Sequence, residues 1–232
     1  MIDGELMKLR DNAKEKIDFL EISEDFLTDL VFNTLSFDNF IDNREDVVNV
    51  FNGKTEDISP DKIQLIENQK NAFAFVLKMV KEDIPMDENN LKDLHQIIMD
   101  GFSNIGGLYR NVDISVKGSN HTPPSHIKVY DRMKKYFEYT LTKPDDKNLF
   151  EYISYCHLQL AKIHPFLDGN GRASRMVLNY QLMRFGFMPV IIKREEFNNY
   201  FDCLEAFKVN KNINPFVRFL ENLVKTSLNG VL

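Results

Sequence analysis

Apolar residues recur at intervals of three and four along most of this 232-residue chain, which is the spacing of one buried helix face. Pro60 suits the first turn of a helix, and Gly186 is placed to cap the end of another. The spacing predicts helices over residues 5–20, 24–37, 44–51, 60–84, 87–99, 147–163, 172–185, 194–208 and 215–228. We expect a mainly α fold in a single domain, residues 1–232, with N-terminal helices in 1–58 and a core in 59–228.

One stretch breaks the helical pattern. Residues 112–116, VDISV, alternate apolar and polar side chains at the two-residue period of a strand. A turn is indicated at residues 117–120, and the prolines in 121–124 restrict the return arm to a sheet edge. The pattern predicts a short exposed β-hairpin, which serves either as a plain connection or as an edge that binds a target peptide. The residues expected at such a docking edge are Ser115, Val116, Lys117 and Gly118.

Charge and composition exclude several classes of protein. The net charge of -6 argues against nonspecific nucleic-acid binding, which needs a basic surface. Cys156 and Cys203 are too few and too far apart for a disulfide framework or a CxxC metal site. No stretch approaches the roughly 20 apolar residues of a membrane span, and residues 1–20 do not resemble a signal peptide. We expect a cytoplasmic protein without nucleic-acid or membrane partners, and the Asn- and Lys-rich composition is compatible with a bacterial source.

The stretch HPFLDGNGRASR, residues 164–175, has the composition of an anion-binding turn. Pro165 ends the preceding helix, so His164 lies at the helix end. Gly169 and Gly171 flank Asn170, and such a segment can adopt positive φ angles that direct successive backbone N–H groups into one concavity. Because the next helix starts here, its free N–H donors and positive dipole end also favour an anion.

The charged side chains of this stretch point to chemistry at phosphorus. Arg172 and Arg175 lie three residues apart at a helix start, where cations are disfavoured unless a strongly anionic ligand such as polyphosphate is bound. Asp168 would be repelled by phosphates without a divalent cation, and Mg²⁺ prefers one or two carboxylates with phosphate oxygens. His164 is the nearby side chain whose unperturbed pKa permits proton acceptance near neutral pH. Each element alone also fits a tight corner with solvated arginines, whereas their conjunction predicts phosphorus transfer.

The stretch resembles the signature of the Fic (filamentation induced by cyclic AMP) family, HPFx[DE]GNGRxxR, and all nine specified positions match. The GNGR form resembles the nucleotidyl-transferring branch rather than kinase-like or phosphocholine-transferring relatives. The resemblance implies a Fic-like helical bundle with a β-hairpin flap, and a protein adenylyltransferase. Such an enzyme moves AMP from ATP to a Ser, Thr or Tyr hydroxyl of a target protein and releases pyrophosphate.

Roles for individual residues are carried over from the same resemblance. It implies that His164 accepts the hydroxyl proton, that Asp168 holds Mg²⁺ and that Tyr200 borders the adenine. The ATP phosphates would lie on Gly169, Asn170, Gly171, Arg172 and Arg175.

Many Fic proteins also carry an inhibitory helix with the pattern [ST]xxxE[GN], and the similar stretch here is TLSFDN, residues 34–39. Thr34 and Asn39 match this pattern, but Asp38 stands where Glu is expected. The shorter side chain brings the carboxylate one methylene nearer its backbone, which puts a bidentate contact with Arg175 in doubt. Autoinhibition therefore stays open beside a simple turn role for Asp38 and Asn39.

Other functions remain compatible with the sequence. The same residues would serve removal of AMP from a modified protein, or transfer from another nucleoside triphosphate. A nucleotide-sensing or antitoxin-like binding module is a third reading, although a pure binder needs neither His164 nor Asp168. The target protein is not predicted, and both self-modification and a homodimer are left open.

Overall fold

The computed structural model describes residues 2–14, 21–102, 104–142, 144 and 148–229. Within these residues the chain forms α-helices joined by turns and short 3-10 segments, and the described residues contain no β-strand. The helices are α1 (Ile2–Lys14), α2 (Glu24–Phe37), α3 (Arg44–Phe51), α4 (Pro60–Lys81), α5 (Glu88–Ile98), α6 (Val129–Thr140), α7 (Leu149–Ile163), α8 (Asn170–Arg184), α9 (Phe197–Asn210) and α10 (Asn214–Asn229).

Most predicted helices lie where the periodicity placed them, and side-chain caps fix the starts of α2, α4 and α5. Ser23, Ser59 and Asp87 each accept a hydrogen bond from a backbone N–H three residues later. Helix α4 ends at Lys81, three residues before the predicted end, and α8 begins two residues early, at Asn170. Residues 15–20 of the predicted first helix lie outside the described residues.

Helix α6 was not predicted. Its buried positions, Val129, Met133, Tyr136, Phe137 and Thr140, follow the three- and four-residue spacing of a helix. The helix packs on α7, and the Tyr136 hydroxyl donates a hydrogen bond to the Cys156 carbonyl at 3.0 Å. The signal was therefore present in the sequence, but charged residues between the apolar ones obscured it.

The predicted β-hairpin is not confirmed among the described residues. Residues 111–125, which we call the flap loop, contain the expected turn, with the Ser119 N–H donating to the Val116 carbonyl at 3.1 Å and Gly118 at φ +79°. No strand ladder joins its two arms, and the nearby isolated bridge pairs Tyr109 with Phe166 instead. Prolines supply no N–H for a ladder, and the polar groups of the loop bond to other elements.

Helix α8 is the central element, and its burial fixes the position of its N-terminus. Every residue from Asn170 to Met183 except Gly171 is buried. One side of α8 packs against α4 and α5, and α7 lies along another side, with α9 and α10 beyond α7. A helix buried on all sides cannot tilt without disturbing the core, so the turn before α8 is held on a rigid base. None of the helices in the described residues is long and apolar enough to cross a membrane.

Candidate active site

His164 ends α7 in the left-handed conformation, with φ 52° and ψ 61°, and its N–H donates to the Leu160 carbonyl at 3.0 Å. The helix end before Pro165 is thus as predicted. The Nδ1 atom lies 3.3 Å from the Ala161 carbonyl oxygen. A carbonyl can only accept a hydrogen bond, so this contact assigns the proton to Nδ1 and leaves a lone pair on Nε2.

The surroundings of His164 keep its imidazole neutral. Burial lowers the pKa of His164 to about 4, and the positive charges of Lys208 and Arg110 act in the same direction. The hydrogen bond to Ala161 opposes this shift. Near neutral pH the ring is therefore unprotonated and can accept a proton at Nε2.

The turn between α7 and α8 is braced by its own side chain and backbone. Asn170 Oδ1 accepts the Phe166 N–H at 2.9 Å, and Asn170 Nδ2 donates to the Phe166 carbonyl at 2.9 Å. Gly169 has φ +72°, and a Cβ there would lie 2.9 Å from Met99 Sδ and 3.1 Å from His95 Nε2. The conformation and the close contacts both require glycine at this position.

His95 supports the turn from α5, and sequence reasoning missed it. Its Nδ1 accepts the Gly107 N–H at 3.0 Å, so the ring proton lies on Nε2, which donates to the Asp168 carbonyl at 2.9 Å. The ring stacks on Phe166 with centroids 3.6 Å apart and planes within 3°. Burial lowers the pKa of His95 to about 4, which keeps this tautomer neutral. A histidine within the buried apolar face of α5 was the signal that could have revealed it.

Arg172 and Arg175 are brought together as predicted, but both side chains are buried, with 2% and 10% of their surface exposed. Arg175 Nη2 donates to the Thr34 carbonyl at 3.1 Å, and Arg172 Nη2 lies 3.5 Å from Asp168 Oδ2. Neither Nε atom has a hydrogen-bond partner among the described residues. Buried guanidinium groups with unfilled donors favour an anionic ligand, because leaving such donors unpaired is costly.

The comparisons with known proteins agree with this geometry. The profile of the Fic/DOC family matches residues 85–182, which include α5, the flap loop and the signature turn. The protein adenylyltransferase Fic of Nematostella vectensis is 34% identical over 127 residues, covering 54% of this chain and 29% of that protein. This chain belongs to the Fic/DOC family.

Solved Fic structures share the fold. A fragment of Fic-1 from C. elegans superposes with a TM-score of 0.85 at 19% identity, covering 99% of this chain and 70% of that one. A Fic domain containing signaling protein from Bacteroides thetaiotaomicron gives a TM-score of 0.84 at 18% identity, covering 100% of this chain and 95% of that one. The chain spans about a third of the length of the curated relatives it matches.

The segment that resembles the Fic inhibitory motif lies at the C-terminal end of α2, directly over the two arginines. Asp38 Oδ2 lies 3.5 Å from Arg172 Nε and 3.7 Å from Arg175 Nη2, so one oxygen faces both groups instead of forming a bidentate pair. The ring centroid of Phe37 lies 5.0 Å from Arg175 Cζ. Asn39 adopts a left-handed φ of 57° in the turn that follows. The end of α2 therefore partly occupies the donors of Arg172 and Arg175.

The tip of the flap loop is attached to α9. Ser115, Lys117 and Gly118 are exposed and Val116 is half-buried, so the expected docking residues are accessible. Glu205 accepts hydrogen bonds from the Ser119 hydroxyl and from the Asn120 N–H, the latter at 2.8 Å. The side chains of α9 thus hold the loop tip in the absence of a strand ladder.

Tyr200, which was expected to border the adenine, packs among other aromatic side chains. Tyr200 is only 4% exposed, and its hydroxyl bonds to His157 Nε2 at 3.0 Å. Its ring packs edge-on against Phe37 and near Phe216. The apolar face of α9 is turned toward α7 and α10, so Tyr200 lies in the core.

Proposed function

We propose that this chain transfers AMP from ATP to a hydroxyl group of a protein. The observation that supports this proposal is a neutral, proton-accepting His164 beside a helix N-terminus that carries two buried arginines with unfilled donors. The names of its Fic relatives point to the same reaction. The target is a protein with an accessible Ser, Thr or Tyr, and the chain itself is one candidate target.

The N-terminus of α8 provides the phosphate site. Backbone N–H groups around Gly169 and Gly171 have no helical acceptor, and the helix dipole favours negative charge at this end. Arg172 and Arg175 add donors that can pair bidentately with phosphate oxygens. The phosphates of ATP would replace the weak contacts that these arginines now make with Asp38.

Asp168 is suited to hold Mg²⁺ once ATP is bound. Its side chain is 64% exposed, so the carboxylate can reach a ligand above the turn. The described residues contain no group of three metal-ligating side chains, and Mg²⁺ typically combines one or two carboxylates with phosphate oxygens and water. When bound, the ion would neutralise negative charge on the phosphates.

His164 would act on the incoming hydroxyl. The hydroxyl oxygen attacks the α-phosphorus, its proton passes to Nε2 of His164, and the bond from the α-phosphorus to the bridging oxygen of pyrophosphate breaks. Because Nδ1 is held by the Ala161 carbonyl, the proton-accepting nitrogen keeps one orientation. The flap loop would align the target so that its hydroxyl lies in line with the leaving pyrophosphate.

The end of α2 would restrain this reaction. The Thr34 carbonyl and the Asp38 carboxylate now contact donors that the outer ATP phosphates need. Because Asp38 contacts the arginines at 3.5 and 3.7 Å rather than through short hydrogen bonds, we expect this restraint to be partial.

An experiment with two labels tests the proposal. The purified protein is incubated with Mg²⁺ and ATP labelled at either the α- or the γ-phosphate, and protein-bound label and intact mass are measured. AMP transfer places the α-label on protein with a mass gain equal to AMP. Transfer of the γ-label instead would contradict the proposal and indicate a kinase.

A further inference from the structure

Arg110 is a buried side chain that joins the signature turn to both arms of the flap loop. Its side chain has no exposed surface, and its Nε donates to the His164 carbonyl at 2.8 Å. Its Nη1 donates to the Val112 carbonyl at 3.0 Å, and its Nη2 donates to the Pro124 carbonyl. The Arg110 backbone N–H donates to the Pro165 carbonyl at 2.9 Å. One residue therefore fixes four carbonyls in two segments.

These bonds are directed at backbone carbonyls and do not form a close ion pair. The nearest described carboxylate, Asp113, lies 4.0 Å from Nη1 and is itself bonded to Ser125 and His126. Burial of the guanidinium lowers the pKa of Arg110, which shows that desolvation of this charge is unfavourable. The planar fork of arginine can bond several carbonyls at fixed angles, which a lysine ammonium on a flexible stem cannot reproduce.

The bond to His164 acts at a strained point of the backbone. A histidine at φ 52° occupies a sparsely populated region, and such residues persist only where the surroundings hold them. The guanidinium fixes the His164 carbonyl, and the Ala161 carbonyl fixes the imidazole Nδ1. Together the two bonds set the direction in which Nε2 points.

We propose that Arg110 is a positioning residue that fixes the His164 imidazole relative to the flap loop, so that a hydroxyl held by the loop lies next to Nε2. The inference rests on the proposed AMP transfer. It differs from the role of the signature arginines, since Arg110 donates to backbone carbonyls, whereas the donors assigned to phosphate lie on α8.

The first test uses Arg110→Lys, which keeps the positive charge but loses the fork. We expect kcat for AMP transfer to a protein target to fall about ten- to hundredfold, because misplaced reacting groups lose rate steeply. The KM for the target should rise, while the Kd for ATP stays within about twofold, because the phosphate donors lie on α8. A lysine variant that is folded and has wild-type kcat and target KM would overturn the inference.

Tyr180→Phe is the matched control for loss of stability alone. The Tyr180 hydroxyl donates to the Ile84 carbonyl at 2.8 Å and accepts the Met86 N–H at 3.1 Å, far along α8 from the signature turn. This variant should also lower the melting temperature, but with kcat unchanged at temperatures where it is folded. An equal loss of kcat in both variants would show that Arg110 acts only through stability.

The second test separates charge from geometry. The charges and carbonyl that face His164 are those of Lys208, Arg110, Asp168 and Ala161. Arg110→Met removes one positive charge, so the acid limb of the pH–rate profile should move to higher pH, whereas Arg110→Lys should leave it in place while lowering kcat. Identical limbs in both variants would contradict this division of roles.

A third readout needs no activity. The ring ¹⁵N signals of His164, assigned with His164→Ala, are compared in the wild type and in folded Arg110→Lys. Changed His164 shifts with unchanged signals from His95 and His157 support the inference, and unchanged His164 shifts overturn it. If the wild type transfers no AMP to any protein, the proposed function fails while this measurement still decides the role of Arg110.

Discussion

Asp38 Oδ2 lies 3.5 Å from Nε of Arg172, so a carboxylate from the end of α2 faces a guanidinium of the proposed phosphate site. The distance is too long for a good hydrogen bond, and Arg172 Nε has no hydrogen-bond partner among the described residues. The Asp38 carboxylate is therefore held loosely at a position where a phosphate oxygen would bind more tightly. A ligand with more charge and better geometry should therefore displace it.

Removing this carboxylate should increase activity. We expect Asp38→Ala to raise the rate of AMP transfer several-fold, because the arginines would be free to bind the outer phosphates of ATP. Asp42→Ala is the control, since Asp42 is exposed, lies near Lys62 and does not contact either arginine. Equal rates in the two variants, measured as α-label incorporated into protein, would count against a restraint by Asp38.

Glycine at position 169 should be required for nucleotide binding. A Cβ there would clash with Met99 and His95, and the substituted residue would have to adopt a φ of +72°. Gly53→Ala is a matched control, since Gly53 has φ +71° with nothing within 4 Å of the added Cβ. In both variants, backbone strain should lower the free energy of unfolding by about 1–2 kcal/mol. Only Gly169→Ala should lose more stability than this and weaken ATP binding in calorimetry. A wild-type Kd for ATP in this variant would refute the proposed phosphate site at this turn.

The acid limb of the pH–rate profile should lie well below the ordinary imidazole pKa. Burial lowers the pKa of His164 to about 4, so the proton-accepting form persists as the pH falls from 7 to 5 and is lost only as the pH falls through that value. The measurement is kcat/KM for the protein target at saturating ATP, with folding checked at each pH. An acid limb near 6.5 would show that His164 is not buried as described or is not the base.

Acid should destabilise the fold through its buried histidines. The pKa of His157 is lowered to about 4 by burial, and its ring is held between the Ser174 carbonyl and the Tyr200 hydroxyl. The unfolded chain binds this proton below about 6.5, so stability falls as the pH drops from there toward 4, by about 2 kcal/mol at pH 5. Urea unfolding of wild type and His157→Gln at pH 7 and 5 tests this, and we expect a smaller pH dependence in the variant. An equal pH dependence would contradict it.

The local parts of the site could be predicted from the sequence, since one twelve-residue stretch carries His164, Asp168 and both arginines. The supporting groups could not, because tertiary packing brings them from far along the chain. His95 lies 73 residues from Asp168, Arg110 lies 54 from His164, and Thr34 lies 141 from Arg175. Periodicity reports which residues share a face but does not show what covers that face.

In two places the local sequence pattern did not show which elements would become neighbours. The alternation in residues 112–116 is typical of a strand, but a strand needs a partner with free N–H groups, and the return arm contains two prolines. The aromatic stripe of α9 was correctly placed on a helix, and Tyr200 on that stripe packs into the core. The local pattern predicted the type of element for α9 but not for residues 112–116. In neither place did it predict which elements would pack against that segment.

The decisive measurement compares AMP transfer and ATP binding in wild type and His164→Ala. Label from α-labelled ATP on protein is followed by intact mass in the presence of Mg²⁺, and ATP affinity is measured by calorimetry on the same samples. We expect the variant to lose transfer by at least about a hundredfold while binding ATP as the wild type does, because in the proposed mechanism His164 accepts the proton but does not hold the phosphates. Transfer at the wild-type rate by His164→Ala would contradict the proposed chemistry.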